Sequence, residues 1–267
     1  MVKVIIFCVN YNSFNELGSY LNSLEISVAA TDVELTVVVT DNSDSFKRID
    51  KKYPFEIVHL YTGSNLGYFG GISYGIKNSN KLISEYDYSI ISNVDLQVQD
   101  NFFDELANLN ISEEIGCIAP KIFSIGENRD RNPKVLERYS KRKLEILKLM
   151  YRFPVLNNLY TLLFFRKRRK KVETSEQKMI YAAHGSFMIF TKKFSSFLRV
   201  MEYPVFMFGE ELYIAEHLRK RNLKTIYLTN LVIKDNDHVS TGRMKSKFYY
   251  KCNYEAMDMV IKEFYNE

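Results

Sequence analysis

The chain has 267 residues, 46% of them hydrophobic, enough to bury a substantial core in one large domain or two small ones, and one is expected. Three cysteines, Cys8, Cys117 and Cys252, stand far apart with no CxxC pair and no Cys/His cluster at zinc spacing, which argues against a disulfide framework and a zinc module and for reduced core residues in a cytosolic protein. The net charge of +5 is uneven: between Arg129 and Lys171 fifteen Lys and Arg face three acids, +12, leaving the remainder at −7, a pattern that points to an anionic surface as partner.

In chain order, KVIIFCV (3–9) reads as a buried first strand, not a signal peptide, because polar NYNS follows at once with no small-residue cleavage site. SFNELGSYLNSLEIS (13–27) places Phe14, Leu17, Leu21 and Leu24 at helical spacing, with Ser13 and Glu16 predicted to form a capping box. ELTVVVTDNS (34–43) and FEIVHLY (55–61) read as strands. GSNLGYFGG (63–71) is a glycine turn opening a helix, and YDYSIISNVD (86–95) is the next strand. The second half brings strands at IGCIAPKIF (115–123) and YAAHGSFMIFTKKF (181–194), then a helix in FMFGEELYIAEHLRKRN (206–222). After it come a strand and polar loop in KTIYLTNLVIKDNDHVSTG (224–242) and an aromatic-rich amphipathic C-terminal helix predicted to cover the sheet. Strands alternating with helices predict an α/β fold with a mostly parallel central sheet flanked by helices.

In such sheets ligands sit at the carboxyl ends of the strands. That rule selects Asn10-Tyr11-Asn12, Asp41-Asn42-Ser43, Gly63-Ser64-Asn65 and Asn93-Val94-Asp95, which should converge on one crevice. An ionised Asp facing a nucleobase accepts its ring N–H, and one facing a pyrophosphate requires a cation between the two anions. Mg2+ or Mn2+ supplies that cation with oxygen ligands. Asn93 and Asp95, two apart on a strand, are expected on one side. The four glycines at 67, 70, 71 and 75 match neither a P-loop nor a GxGxxG fingerprint; they let backbone approach either a ligand or another strand. Glu210 and Glu211 open a helix, where acids suit the dipole, or supply a general base. His238 is either a surface-loop residue or, if its loop folds back over Asp95, a metal ligand.

Taken in order, VIIFCVNYNSFNELGSYLNSL, VVVTDNSD, SNLGYFGGISYGI, IISNVDL, APKIF, HGSFMIF, FMFGEELYIAEHLRKRN and DNDHVSTG resemble glycosyltransferase family 2 with the GT-A fold, notably its bacterial rhamnosyl- and galactofuranosyltransferase-like members. The resemblance covers residues 3 to 242 and implies one GT-A domain over 1–267. Its nucleotide-sugar half would be 1–127, a basic insertion 128–175, and an acceptor half with the C-terminal helix 176–267. It implies that Asn10 and Asp41 contact the nucleobase end of the donor, that Asn65 and Gly67 line the nucleotide site, and that Asp95 is the metal ligand of a D-x-D-like motif completed by His238. Asn93 replaces the first Asp of that motif and would bond the ribose or a metal-bound water. Glu211 falls on the family's base, here Glu in place of Asp, with Glu210 beside it orienting acceptor or donor; which of the two is the base stays open. Tyr213 stands where many relatives carry a further Asp. The implied reaction is inverting transfer from a nucleoside-diphosphate sugar to a lipid-linked glycan of bacterial surface polysaccharide, such as O-antigen or capsule. The alternatives are a nucleotide-sugar-binding protein without turnover and a sugar-phosphate nucleotidyltransferase.

KRKLEILKLMYRFPVLNNLYTLLFFRKRRKKVE (141–173) mixes apolar and cationic runs, and Pro154 interrupts it. It falls short of the roughly 18 apolar residues of a spanning helix, and its aromatics are grouped, unlike a nucleic-acid platform. It is expected to lie on anionic lipid at the inner face of the cell membrane, with LYTLLFF dipping in and RKRRKK at the headgroups.

Overall fold

The structure, a computed structural model, describes residues 1–29, 31–154, 177–236 and 247–265. The strands are β1 (Val2–Asn10), β2 (Val33–Asp41), β3 (Glu56–Tyr61), β4 (Tyr88–Asn93), β5 (Leu96–Val98), β6 (Ile115–Ser124), β7 (Arg129–Asp130), β8 (Gln177–Ile180), β9 (Phe187–Thr191) and β10 (Lys224–Asp235). The helices are α1 (Phe14–Val28), α2 (Tyr68–Asn78), α3 (Phe102–Ala107), α4 (Lys141–Arg152), α5 (Lys192–Val200), α6 (Glu210–Arg219) and α7 (Lys247–Phe264). The strands form one sheet in the order β3-β2-β1-β4-β9-β6-β10-β5, with β7 on β6 and β8 on β10. β3, β2, β1, β4, β6 and β10 run in one direction; β9 is inserted antiparallel between β4 and β6, and β5 runs antiparallel to the end of β10. The fold is therefore the mixed α/β arrangement with a mostly parallel sheet that the sequence predicts.

β1 shows why it sits at the centre. Its side chains alternate between two cores: Val4, Ile6 and Cys8 pack with Leu17, Leu21 and Leu24 of α1 and with Phe102 and Phe103 of α3, while Ile5 and Phe7 pack with Phe69 and Ile72 of α2 on the other face. Strand periodicity sends successive residues to opposite faces, so a strand covered on both must be apolar throughout. All three cysteines are free and buried, and burial pushes the Cys8 thiol up to about 12, which makes it an inert core residue.

Several local expectations change. Ser13 does not cap α1: its hydroxyl donates to the Tyr11 carbonyl, and its own N–H is accepted by Asn10 Oδ1, so the capping box with Glu16 does not form. β4 ends at Asn93, and Val94-Asp95 is a bend leading to β5, so Asn93 and Asp95 do not share one strand face. The cause is pairing: β9 accompanies β4 only as far as Ser92, after which the chain turns to set Leu96 against Asp235 on β10. Likewise 181–186 is an approach loop to β9, and 192–200 is helix α5. α7 packs chiefly on α4 and α6 rather than directly on the sheet.

The basic stretch is not an appendage over its first part. β7 pairs with β6, Val135 bridges Ala182, and Arg138 Nε reaches Glu216 Oε1 at 2.7 Å. Glu216 is fully buried and also accepts from Arg219 Nε at 2.7 Å and the Tyr181 hydroxyl at 2.6 Å, while Arg138 donates to the Phe264 carbonyl at the end of α7. One carboxylate thus ties α6, the 138 region and α7 together. Glu216→Ala leaves two guanidinium groups and a phenol without this acceptor and is expected to cost about 3 kcal/mol of stability. The check is a lowered denaturant midpoint, with Glu216→Gln losing less.

Candidate active site

The register of the parallel strands aligns the polar ends. Asn10 of β1 lies opposite Asp41 of β2, Val9 lies opposite Asn93 of β4, and the Asn93 N–H donates to the Ser186 carbonyl in the loop before β9. At about 4.8 Å per strand, Asp41 to Ser186 spans roughly 14 Å, a continuous row along one end of the sheet.

At one end of the row Asp41 is fully buried. Its Oδ1 accepts from Asn10 Nδ2 at 3.0 Å and from the Ser43 N–H at 3.1 Å; its Oδ2 carries no hydrogen bond and lies 3.8 Å from His59 Nε2. Burial holds His59 below its ordinary pKa against the pull of Asp41, so the ring is neutral at pH 7. The Phe46 ring stacks 4.9 Å from His59 and opens onto a hollow of about 630 Å³ lined by Arg48, Lys51, Lys52 and Tyr53.

The glycine turn adjoins this end through Asn42, whose Nδ2 donates to the Gly67 carbonyl at 2.9 Å; Asn65 Oδ1 accepts from the Gly67 N–H at 2.9 Å. The missing side chains face protein. A β-carbon on Gly67, where φ is +74°, would meet the Phe206 carbonyl oxygen at 2.2 Å, and one on Gly75 would meet Thr40 Oγ1 at 2.6 Å. Gly75 lets α2 lie close on β2, and Gly67 lets the turn pass close under the backbone of Phe206.

In the middle, Asp95 is pushed up to about 6, first by burial and then by the negative charge of Asp235, with the Arg131 guanidinium and an Asn93 hydrogen bond opposing. Asp235 is itself buried and pairs with Arg131 at 2.8 Å. Sequence reasoning missed Asp235, although it ends β10 and obeys the strand-end rule. Asp95, partly buried, thus lies within electrostatic reach of the buried Asp235, and an all-oxygen pair suits Mg2+ or Mn2+, so the residues fit a divalent cation. Among the described residues no group of three or more His, Cys, Asp or Glu is placed to hold a metal, and His238 lies outside them.

At the far end α6 begins at Glu210, after Gly209 at φ +84°, where a β-carbon would sit 2.9 Å from that of Ala256. Glu210 is buried, accepts the Phe208 N–H at 2.9 Å, and is pushed up to about 8 by burial and by its neighbour Glu211. Glu211 behaves oppositely. Burial would raise it, yet the Lys134 ammonium, with Nζ at 3.3 Å from Oε1, and the hydrogen bonds it accepts hold it below the usual carboxylate range. Its carboxylate lies over Gly185, about 3.4 Å from where a β-carbon would be. Tyr68 donates to the Gly185 carbonyl at 3.1 Å, and its ionisation is opposed by burial, then by Glu210 and more weakly by Asp95, which sets these groups within electrostatic reach of one another. His184 is held down to about 3, mainly by burial and then by Lys134; its Nδ1 accepts the Ser186 N–H, so the neutral ring carries its proton on Nε2.

Solved structures share this architecture. GalNAc-T7, crystallised with UDP, GalNAc and Mn2+, superposes with a TM-score of 0.62 at 12% identity over 98% of this chain and 48% of that one. S. aureus TarS gives 0.58 at 12% identity over 99% of this chain and 40% of that one, and its segment 1–349 gives 0.56 at 9% over 98% and 72%. The chain thus spans less than half the length of the first two. These likenesses define the class: a GT-A glycosyltransferase fold. The model of glycosyl transferase family 2 matches residues 4–191, and the chain belongs to that family. No curated protein sequence matches it.

Gly67→Ala adds a β-carbon into backbone at a left-handed φ, and is expected to destabilise the turn by about 2 kcal/mol or more. The readout is a lower melting temperature together with faster hydrogen exchange at residues 65–71.

Proposed function

We propose that the chain is an inverting, divalent-metal-dependent transferase that moves a sugar from a nucleoside diphosphate to a glycan hydroxyl on a lipid carrier, at the inner surface of the cell membrane. The observation that carries this is the division of labour along the row: Asp95 in reach of the buried Asp235 in the middle, and at the far end Glu211 with the Lys134 ammonium at 3.3 Å beside Glu210 turned onto the Phe208 N–H. Asn10 and Asp41, with Asn65, Gly67 and Asn93 along the way, would hold the nucleotide. Asp95 would hold the cation, joined by His238; when bound, the cation supplies positive charge against the leaving diphosphate.

Glu211 is the group prepared to accept a proton. In the proposed step its carboxylate takes the proton of the acceptor hydroxyl, the freed oxygen pair bonds to the anomeric carbon, and the diphosphate leaves with the electrons of the broken C–O bond. Attack opposite the leaving group inverts that carbon. Glu210, neutral and bonded to the Phe208 N–H, is poorly placed to act as base. A GalNAc-T7 structure holding UDP and Mn2+ supports the donor class by likeness of fold.

The membrane placement rests on α4. Ile146, Leu149 and Phe153 are each about half exposed, at 49%, 50% and 48%, on the side opposite Leu144 and Leu147, which face α7. Arg142 lies on the same exposed stripe and Arg152 at its margin, an arrangement that suits anionic headgroups. The LYTLLFF and RKRRKK runs lie outside the described residues. No helix among the described residues is long and apolar enough to cross a membrane.

A panel of sugar nucleotides assayed with and without Mn2+ should reveal one donor whose transfer or hydrolysis needs the metal, and Asp95→Asn should lower that turnover about 100-fold or more. Near wild-type turnover in the variant would overturn the assignment of Asp95. Sedimentation with anionic vesicles should fall with rising salt and be lost in an Ile146→Glu, Leu149→Glu double variant that keeps its melting temperature. Equal binding to neutral vesicles would remove the membrane reading.

A further inference from the structure

We propose that Lys134 is a positioning residue for the transfer reaction, holding the Glu211 carboxylate over Gly185 in its proton-accepting form. The inference rests on the reading of Glu211 as base and adds a group that neither the family resemblance nor the strand-end rule identifies. Its first support is the contact itself, Lys134 Nζ to Glu211 Oε1 at 3.3 Å, with the carboxylate only 16% exposed.

The second support is how Lys134 is mounted. On one side, Asn132 Nδ2 donates to the Pro120 carbonyl and Asn132 Oδ1 accepts the His184 N–H, both at 2.8 Å. On the other, Val135 and Ala182 exchange backbone hydrogen bonds at 3.2 and 3.0 Å. Lys134 is therefore fastened between two points on the loop that carries Gly185, the residue beneath the carboxylate. The Lys134 backbone and the Glu211 carboxylate thus both adjoin the six-residue loop 181–186.

The remaining groups around Glu211 do not supply this charge. His184 in the same loop is neutral, Tyr203 before α6 and Tyr151 on α4 are phenols whose ionisation burial opposes, and Glu210 is a neighbouring acid. Arg131 acts on Asp235 at 2.8 Å. An opposite charge within about 4–6 Å favours a carboxylate's ionised form. Removing Lys134 therefore raises the pKa of Glu211. A base works only when deprotonated, so activity falls off on the acid side as pH drops through that pKa, and the acid limb moves to higher pH.

The experiment is a pH–rate profile of wild type, Lys134→Gln, Lys134→Arg and Glu211→Gln on the donor identified above. Lys134→Gln should lose about tenfold in kcat near pH 6, recover toward wild type at pH 9, and keep its KM for the donor; Lys134→Arg should restore the acid side. Melting temperatures should agree, since the Lys134 side chain is 42% exposed. A uniform loss at all pH values, or an unmoved acid limb with Glu211→Gln inactive, overturns the role of Lys134 alone. An active Glu211→Gln overturns the assignment of the base, and this proposal with it.

Discussion

The structure is governed by the cost of taking carboxylates out of water. Asp41, Asp95, Glu210 and Glu211 lie at one end of a sheet whose strands are apolar on both faces; Asp41 and Glu210 are buried and the other two only partly exposed, so little bulk solvent stabilises their charge. Each meets that cost differently. Asp41 has one oxygen bonded by the Asn10 carboxamide and the Ser43 N–H; Glu210 is neutral at pH 7 and bonded to backbone; Glu211 has an ammonium. Asp95 shares its surroundings with Asp235, and Arg131 pairs with the latter. The carboxylates in the middle are thus the ones with the most to gain from a divalent cation, and that asymmetry is what the proposed chemistry exploits.

The same economy shapes the backbone. Asn10 uses its carboxamide twice, donating to Asp41 and Ser43 and accepting from the Ser13 N–H, so one side chain both braces the buried acid and starts α1. Asn42 likewise connects the β2 end to the glycine turn. The polar strand ends are cross-braced before any ligand arrives, which suits a site whose transition state needs fixed charges rather than mobile ones.

What was legible in the sequence follows from range. β1, β2, β4 and β6 announce themselves because a strand buried on both faces must be a run of apolar residues, and the polar residue ending each run marks the crevice. That rule is what singles out Asn10 and Asp41 at the ends of β1 and β2 and Asp95 just beyond β4. The capping box at Ser13 and Glu16 was a correct local pattern overruled by a longer-range partner, Asn10. The antiparallel insertion of β9 has no local signature, since direction is set by which strands it pairs with; consequently neither the loop that brings Gly185 and His184 to Glu211 nor the bend at Val94-Asp95 is legible in the sequence. Lys134 stands among fifteen basic residues between 129 and 171, where charge density suggests a surface and conceals a lysine fastened beside Glu211.

The Glu210-Glu211 pair shows why sequence alone left the base undecided. Two identical side chains, adjacent in sequence, differ by about 100° around the helix axis. The left-handed Phe208-Gly209 step starts α6 so that Glu210 turns back onto the Phe208 N–H, where its burial favours the neutral form, and Glu211 turns out over Gly185 toward Lys134. Their unlike surroundings are therefore a property of helix phase. Shifting the start of α6 by one residue would carry one glutamate into the other's place and leave the second place to Gly209 or Leu212, so the packing of Gly209 against Ala256 on α7 helps determine which acid faces Lys134.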